Sequence, residues 1–225
     1  MPTSIEPATR QLVVAPSAFG FLYDECKACY YNQVHGIRKR PRTPFPSIFN
    51  AIDHAMKAHL AATQCNCFNG DGRSFAVESQ GRWVLSTPIP IDGTDLSIVI
   101  RGSYDTVLRF ANGRSAICDL KTAPVKAELV SKYSRQLHGY TLALECPARG
   151  SALLVDELGL AVFEPSTFAM SGVEASLSGT MTWLPVDRDD AAFHHFIQEV
   201  GQLLAAPVAP APAPDCGFCI YREAA

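Results

Sequence analysis

Apolar residues recur every three to four positions in four segments of the chain, as they do along the buried face of an amphipathic helix. The last of these segments shows the pattern most clearly, because Phe193, Phe196, Ile197 and Val200 fall on one stripe. We predict helices over 19–34 with Ser17 as the N-cap, over 47–62, over 128–145 and over 189–206.

The segment 96–122 has the composition of β-structure, with two runs rich in β-branched and aromatic residues. The runs are joined by Ala111–Gly113, a three-residue loop that ends in glycine. Such loops are typical of hairpins in which the glycine takes a positive φ. Further strands are predicted within 82–86, 150–165 and 177–187.

This hairpin brings two acids and a lysine to one face. If the loop has three residues, Phe110 lies opposite Arg114, and Asp105 lies opposite Asp119. Directly opposed residues have Cβ atoms about 4.5–5.5 Å apart. Lys121 lies on the same face as Asp119, since side chains alternate along a strand.

Two carboxylates this close repel each other, and their burial is unfavourable unless a cation compensates them. A divalent ion would remove that penalty, and oxygen ligands favour Mg²⁺ or Mn²⁺. Lys121 beside the ion would orient or deprotonate a water, or stabilise charge on a phosphate oxygen. An acid followed two positions later by a lysine is also common by chance, so a surface ion pair is the alternative interpretation.

The next predicted helix extends the pattern, because Gln136 and Tyr140 are four positions apart and share one helical face. The stretches GSYDTVLRFANGRSAICDLKTA and QLHGY together resemble the RecB-like branch of the PD-(D/E)XK nucleases, which includes the CRISPR-associated four-cysteine exonucleases. That branch has an acid after a glycine, here Asp105 after Gly102. A D/E-x-K on the next strand and a Q-x-x-x-Y helix follow.

The resemblance implies an α/β fold with a PD-(D/E)XK restriction-endonuclease-like core, in which helices flank a mixed central sheet. It also implies that a cysteine metal cluster joins the N- and C-terminal segments. The chain is then one nuclease domain, 1–225. Its parts would be an N-terminal helix with a basic segment (17–45), the nuclease core (46–204), an Ala/Pro spacer (205–214) and a cysteine-bearing end (215–225).

Site roles also follow from the resemblance. Asp105, Asp119 and the Leu120 carbonyl would hold the Mg²⁺ or Mn²⁺ ion, and Lys121 would serve the attacking water. The glutamine and tyrosine of the Q-x-x-x-Y helix would position the DNA strand.

The same branch often adds a metal-ligating histidine on an earlier helix, four residues after a glycine. Here His54 fits, but Asn50 stands where the glycine would be, and Asp53 is the competing ligand.

Eight cysteines are unusual for a cytosolic chain, in which closely spaced pairs more often bind metal than form disulfides. Two C-x-x-C pairs stand near opposite ends of the chain: Cys26 with Cys29, and Cys216 with Cys219. Four thiolates suit a [4Fe–4S] cluster or a tetrahedral Zn²⁺. The resemblance favours iron–sulfur, although the branch commonly places one cysteine at the N-terminal side and three near the C-terminus. The other four cysteines carry no predicted role.

Net charge is −3, so a nucleic-acid partner must be held by a local basic patch. The candidate patch is Arg38, Lys39, Arg40 and Arg42, which would track DNA phosphates or form a solvated face. The sequence contains no signal-peptide pattern at 1–10 and no apolar run long enough to span a membrane, which favours a cytoplasmic protein.

These observations predict a metal-dependent DNA nuclease, an exonuclease acting on single strands or ends. Its pathway would be repair, recombination, phage replication or CRISPR adaptation, with a helicase or a recombination or adaptation protein as a possible partner. The alternatives are a catalytically silent nucleic-acid-binding module of the same fold and a zinc-clamped structural protein.

Overall fold

The computed structural model of the chain describes residues 10–41, 44, 46–63 and 67–223. The strands are β1 (Arg10–Val14), β2 (Phe75–Gln80), β3 (Trp83–Leu85), β4 (Ile89–Pro90), β5 (Leu96–Ser103), β6 (Thr106–Phe110), β7 (Ser115–Thr122), β8 (Glu157–Ser171) and β9 (Glu174–Val186). The helices are α1 (Lys27–Val34), α2 (Ser47–Ala62), α3 (Glu128–Glu145), α4 (Asp190–Ala205) and α5 (Gly217–Glu223). None of the helices in this part of the chain is long and apolar enough to cross a membrane.

The strands form two mixed sheets. The larger has the order β2-β6-β7-β8-β9 and is antiparallel except where β7 and β8 pair in parallel. In the smaller sheet β5 pairs with β1 in parallel and with β3 and β4 antiparallel. Helix α3 supplies the crossover that two parallel strands require. The predicted α/β fold with mixed β-structure flanked by helices is confirmed, with the strands divided between two sheets.

Helices cover both faces of the larger sheet. Leu137 of α3 and Ile117 of β7 belong to one buried cluster, whereas Leu60 of α2 and Cys118 of β7 belong to another. Because successive side chains of a strand point to opposite faces, Asp119 lies on the same face as Ile117, toward α3. The acid and the lysine that end β7 therefore share the α3 side.

The β6–β7 hairpin has the predicted three-residue loop. The N–H of Phe110 donates to the carbonyl of Arg114 at 2.9 Å, and Gly113 has a φ of 84°. The pairing continues without a shift until Thr106 lies opposite Cys118. The predicted register is confirmed, and it places the residue before β6 next to the acid of β7.

The prediction of one continuous first helix over 19–34 is wrong. A π-helical turn, Phe19–Tyr23, comes first, and α1 begins only at Lys27. Ser17 lies inside a short 3-10 turn and is not an N-cap. Between the two helical pieces Cys26 is extended, with φ −163° and ψ 104°, and it caps α1. The break turns this cysteine toward the end of the chain.

The first predicted β run is also divided, since β5 belongs to the smaller sheet and β6 to the larger. The chain passes from one sheet to the other at Tyr104 and Asp105. The buried Tyr104 bonds the hydroxyl of Ser79 at 2.8 Å, and Asp105 accepts a hydrogen bond from Leu120. Asp105 thus stands at the start of β6 and not within a strand.

Candidate active site and four-cysteine site

An open cleft of about 760 Å³ is lined by α2, α3 and the ends of β5 and β7. The sequence-predicted residues that line it are Gly102, Asp105, Asp119, Leu120, Lys121, Gln136 and Tyr140. The fold therefore brings together the acids, the lysine and the Q-x-x-x-Y helix, which are spread over 39 residues of the sequence (102 to 140, counted inclusively).

Both acids are held by hydrogen bonds from neighbouring elements. The N–H of Leu120 donates to Asp105 Oδ2 at 3.1 Å, which ties the start of β6 to β7. Asp119 is 4% exposed, and Gln136 Nε2 donates to its Oδ1 at 3.1 Å. The ammonium group of Lys121 contacts Asp119 Oδ2, an oxygen that accepts no hydrogen bond of regular geometry from the described residues.

Burial and charge act differently on the two acids. Burial, helped by the Asp105 carboxylate, raises the pKa of Asp119 to about 7 against the opposing effect of Lys121. Burial also acts to raise the pKa of Asp105, but the ammonium groups of Lys121 and Lys57 outweigh it and hold that pKa below its usual range. The site therefore contains one acid that is readily ionised and one whose charge is costly in the absence of a further cation.

Helix α2 adds a third acid, Asp53, to the cleft lining, and a lysine that pairs with two of the acids. Lys57 Nζ donates to Asp53 Oδ2 and to Asp105 Oδ1, both at 2.9 Å. The predicted ligand His54 is exposed, does not line the cleft, and bonds the carbonyl of Asn50 through Nδ1 at 2.8 Å. Adjacent helical positions point about 100° apart, so only one of the two candidates faces the cleft, and that residue is Asp53.

Tyr140 packs closely against β5. It is 4% exposed, and a Cβ added to Gly102 would come within 2.8 Å of its Cε1 atom. Glycine at this position therefore permits the tyrosine ring to approach the strand. Burial, with a further effect of Asp119 and Asp105, raises the pKa of Tyr140, so its hydroxyl remains a proton donor at neutral pH.

Two residues of the site were not predicted from the sequence. One is Lys57, described above, and the other is Tyr133, whose ring centroid lies 4.4 Å from Lys121 Nζ. Tyr133 is three positions before Gln136 on the same face of α3, and Lys57 is four positions after Asp53. Helical spacing from residues already selected was thus the available signal for both.

The donor set at the cleft fits a hard divalent ion. Asp105 and Asp119 offer carboxylate oxygens at the junction of β6 and β7, and Asp53 offers another from α2. Oxygen-only ligands suit Mg²⁺ or Mn²⁺. The pKa of Asp119 is raised although the Lys121 ammonium contacts its Oδ2 atom, which indicates that the carboxylate needs additional positive charge.

The two C-x-x-C pairs meet in a second site. The Sγ atoms of Cys26, Cys29, Cys216 and Cys219 all lie within 4.8 Å of one another, and all four residues are buried. Cys26 caps α1, and Cys216 directly precedes α5. The predicted joining of the N- and C-terminal segments by a four-cysteine group is confirmed, and the group has the composition of a metal site.

Burial makes two of these thiols, those of Cys29 and Cys219, hard to ionise. It raises the pKa of Cys29 and raises that of Cys219 to about 12. Burial also acts to raise the pKa of Cys26, but backbone hydrogen bonds, including one from Ala213, lower it to about 7. Four thiolates at these distances require a cation, as in a zinc or iron–sulfur site.

Of the predicted basic patch, Arg40 lies beside the cysteines, and none of its three described members lines the cleft. Arg40 pairs with Glu25 at 2.6 Å and donates to Cys216 Sγ at 3.1 Å. Arg38 and Lys39 are exposed, and neither lines the cleft. Arg42, the fourth member, lies outside the described residues.

Comparison with known proteins identifies the class. The family model of the PD-(D/E)XK nuclease superfamily matches residues 69–224, more than half of the chain, so the chain belongs to this superfamily. Membership indicates metal-dependent nuclease activity on a nucleic-acid substrate. No curated protein matches the chain in sequence.

Among solved structures, the crystal structure of SSO0001 is similar, with a TM-score of 0.50 and 14% sequence identity. The alignment covers 99% of this chain and 88% of that chain. At this identity the similarity shows the fold alone.

Proposed function

We propose that the chain is a metal-dependent deoxyribonuclease of the RecB-like branch, which hydrolyses phosphodiester bonds in single-stranded DNA or at DNA ends. The observation that carries this proposal is the convergence of Asp105, Asp119 and Lys121 on one face of the β6–β7 hairpin, with Gln136 bonded to Asp119. The cleft that these residues line is open, so a DNA strand can enter it.

Asp105, Asp119 and the Leu120 carbonyl would hold Mg²⁺ or Mn²⁺, and Asp53 replaces His54 as our candidate for a further ligand. The chemistry that such an ion supplies is polarisation of a phosphoryl oxygen and activation of water. Gln136 would keep the Asp119 carboxylate turned toward the cleft by its hydrogen bond to Oδ1.

Lys121 would act as a cation. Burial acts to lower its pKa, but Asp119 outweighs this effect and raises the pKa, so the side chain is an ammonium at neutral pH. An ammonium orients the attacking water and stabilises negative charge that develops on the phosphate oxygens. Tyr140, with its protonated hydroxyl, would donate a hydrogen bond to the DNA strand.

For the four-cysteine site we propose a single tetrahedral Zn²⁺. A Zn–S bond of about 2.3 Å places the sulfurs of a tetrahedron about 3.8 Å apart. Cys29 Sγ lies 3.8 Å from Cys216 Sγ and 3.4 Å from Cys219 Sγ. A [4Fe–4S] cluster interposes its iron atoms between the thiolates and the cluster centre, so it needs wider spacing. The spacing supports zinc over the iron–sulfur cluster favoured by the family resemblance.

The nuclease proposal is tested with the full chain and oligonucleotides labelled at the 5′ or the 3′ end. We expect shortening of linear single strands with Mg²⁺ or Mn²⁺, and resistance of circular single strands. Asp119→Asn should reduce cleavage by at least about 100-fold, because it removes a charged ligand. Asp92→Asn, an exposed acid outside the cleft, is the matched control.

Cleavage that persists in Asp119→Asn would contradict the site. Cleavage of circular strands would show an endonuclease. A chain that binds DNA but cleaves nothing would be the silent module of this fold.

Elemental analysis after anaerobic purification tests the cysteine site. The zinc proposal predicts a colourless protein with one zinc per chain. A brown protein with about four irons and four sulfides would show the iron–sulfur cluster instead.

A further inference from the structure

One tryptophan of the chain is unusually exposed, and it stands at the rim of the active-site cleft. Trp83 on β3 is 69% exposed, whereas Trp183 is 5% exposed. The guanidinium of Arg101 on the neighbouring β5 lies 5.1 Å from the centre of the Trp83 ring. An indole held by a cation but open on its surface is a platform on which a planar group can stack.

A second groove, of about 380 Å³, begins on the far side of this tryptophan. Trp83 and Arg101 line both the groove and the active-site cleft, so the two depressions are continuous across the ring. The groove is also lined by Arg82 and Arg149, and its lining contains no aspartate or glutamate. Its electrostatic character is therefore positive, although the whole chain is slightly acidic.

The charges of the arginines in this groove are not neutralised by described carboxylates. Elsewhere in the described chain, carboxylates neutralise Arg40, Arg73, Arg109, Arg114, Arg135 and Arg188. No described carboxylate pairs with Arg82, Arg101 or Arg149, all of which are exposed. Free arginines beside an exposed aromatic ring form the combination that binds single-stranded nucleic acid, with phosphates on the cations and a base on the ring.

We propose that Trp83 stacks an unpaired base of the substrate, while Arg82, Arg101 and Arg149 hold the phosphates of the strand leaving the active-site cleft. This inference rests on the proposed nuclease function and specifies its substrate as a single strand. The bases of an intact duplex are stacked on one another and cannot offer a free face to the indole. The positioning role falls on this groove and not on the patch at Arg38–Arg40, where Arg40 is already paired with Glu25.

The chain provides its own probe, because its two tryptophans are the exposed Trp83 and the buried Trp183. Intrinsic fluorescence is followed while oligo-dT, oligo-rU or a blunt DNA duplex is added to the full chain without added divalent ion. A gel checks that the strands remain intact. We expect saturable quenching by the single strands and much weaker quenching by the duplex, with the dT and rU arms distinguishing DNA from RNA as the preferred strand.

Variants separate stacking from charge. Trp83→Ala should remove the quenching and weaken binding, measured by anisotropy of labelled oligo-dT, about 10-fold or more, whereas Trp83→Phe should retain most of the affinity. Arg149→Gln should lower the slope of log affinity against log salt by about 0.7. Arg38→Gln, which changes an exposed arginine that lines neither the groove nor the cleft, is the matched control and should leave the slope unchanged.

Unchanged affinity in Trp83→Ala, equal binding of duplex and single strand, or a loss confined to Arg38→Gln would each overturn the inference. Failure of the proposed function has a different signature. In that case the wild-type chain binds single strands through Trp83 but cleaves nothing when Mg²⁺ or Mn²⁺ is added.

Discussion

Burial makes the charge of the Asp119 carboxylate depend on a neighbouring cation. It lies in a β-strand that is buried on both faces, so its carboxylate has lost most of its contact with water. Asp105 adds repulsion, and a single lysine does not fully offset both effects. A cation bound here would offset the cost of ionising the buried carboxylate.

Lys121→Ala is expected to reduce cleavage by about 100-fold or more while DNA affinity changes only a few-fold, since one ammonium is a small part of the electrostatic contact. The measurement is single-turnover cleavage beside anisotropy binding. Lys126→Ala, an exposed lysine between β7 and α3, is the control. If affinity fell in proportion to the rate, Lys121 would be a phosphate anchor without a role in the reaction.

Gly102→Ala is expected to displace the Tyr140 ring, because the new Cβ would lie 2.8 Å from Cε1 and 3.2 Å from Cδ of Pro16. Overpacking of this kind costs about 1–3 kcal/mol of unfolding free energy. We expect a lower Tm and a fall in cleavage rate of about 10-fold, since a small misplacement of a positioning group is costly. Gly217→Ala, where a Cβ meets nothing within 4 Å, should show neither change.

At the scale of elements, an arginine fixes the start of β8. Arg73 donates from Nη1 and Nη2 to the two oxygens of Glu157, each at 2.8 Å, and also bonds Asp71. The hydrogen bonds from Arg73 hold the pKa of Glu157 below its usual range. Because β8 pairs with β7 from this end, the arginine helps to set the register of the strand that bears Asp119, the candidate catalytic acid.

Glu157→Gln should therefore destabilise the chain in a pH-dependent way. A lowered carboxyl pKa contributes stability above its unfolded value, about 4.3, and this contribution is lost as pH falls through the folded pKa. We expect a Tm lower by about 2–4 °C at pH 7 and a difference that vanishes in acid, allowing for partial exposure of the pair. Glu78→Gln, which breaks the more exposed pair with Arg109, should lower the Tm less. A deficit that is constant with pH would exclude the ion-pair explanation.

The local pattern of apolar residues was sufficient to predict the regular helices. The predictions of 47–62 and 128–145 are confirmed residue for residue by α2 and α3, since each has a strong apolar stripe. The prediction of one helix over 19–34 failed because Cys26 lies against the cysteines from the other end of the chain. These tertiary contacts outweigh the helical propensity of the segment. Strand β1 was not predicted either, because it also depends on a distant segment, its partner β5.

The candidate site was predictable where a short-range rule applied. The strand register that follows from a three-residue hairpin loop placed Asp105 beside Asp119. Helical spacing placed Gln136 and Tyr140 on one face of α3. Trp83 and Arg101 are adjacent only because β3 pairs with β5, a contact that the sequence of either strand does not specify. The sequence also did not show that Arg40 of the basic patch pairs with Glu25, because a run of charges carries no information about what neutralises it.

At the scale of the whole molecule, the four cysteines join two ends of the chain that are 187 positions apart at Cys29 and Cys216. The Ala/Pro segment after α4 leads back along α1, where Tyr31 donates to the carbonyl of Ala206 at 2.9 Å and Ala213 donates to Cys26 Sγ. The cysteines belong to the same buried cluster as Ile98 of β5, which ends at the cleft. A metal at this site would therefore stabilise the sheet on which the active site is built.

Cys219→Ala is expected to abolish metal binding at this site, since a tetrahedral ion would lose one of its four ligands. The segment 206–216 would then lose its attachment to α1. We expect a Tm lower by more than about 5 °C, together with new proteolytic cleavage within that segment. Cleavage of DNA well below the Tm should persist, because the residues of the cleft are unchanged. The exposed Cys146 provides the control, Cys146→Ala, which should match the wild type in metal content, Tm and digestion pattern. If the two variants behaved alike, the four-cysteine site would bind no structural metal.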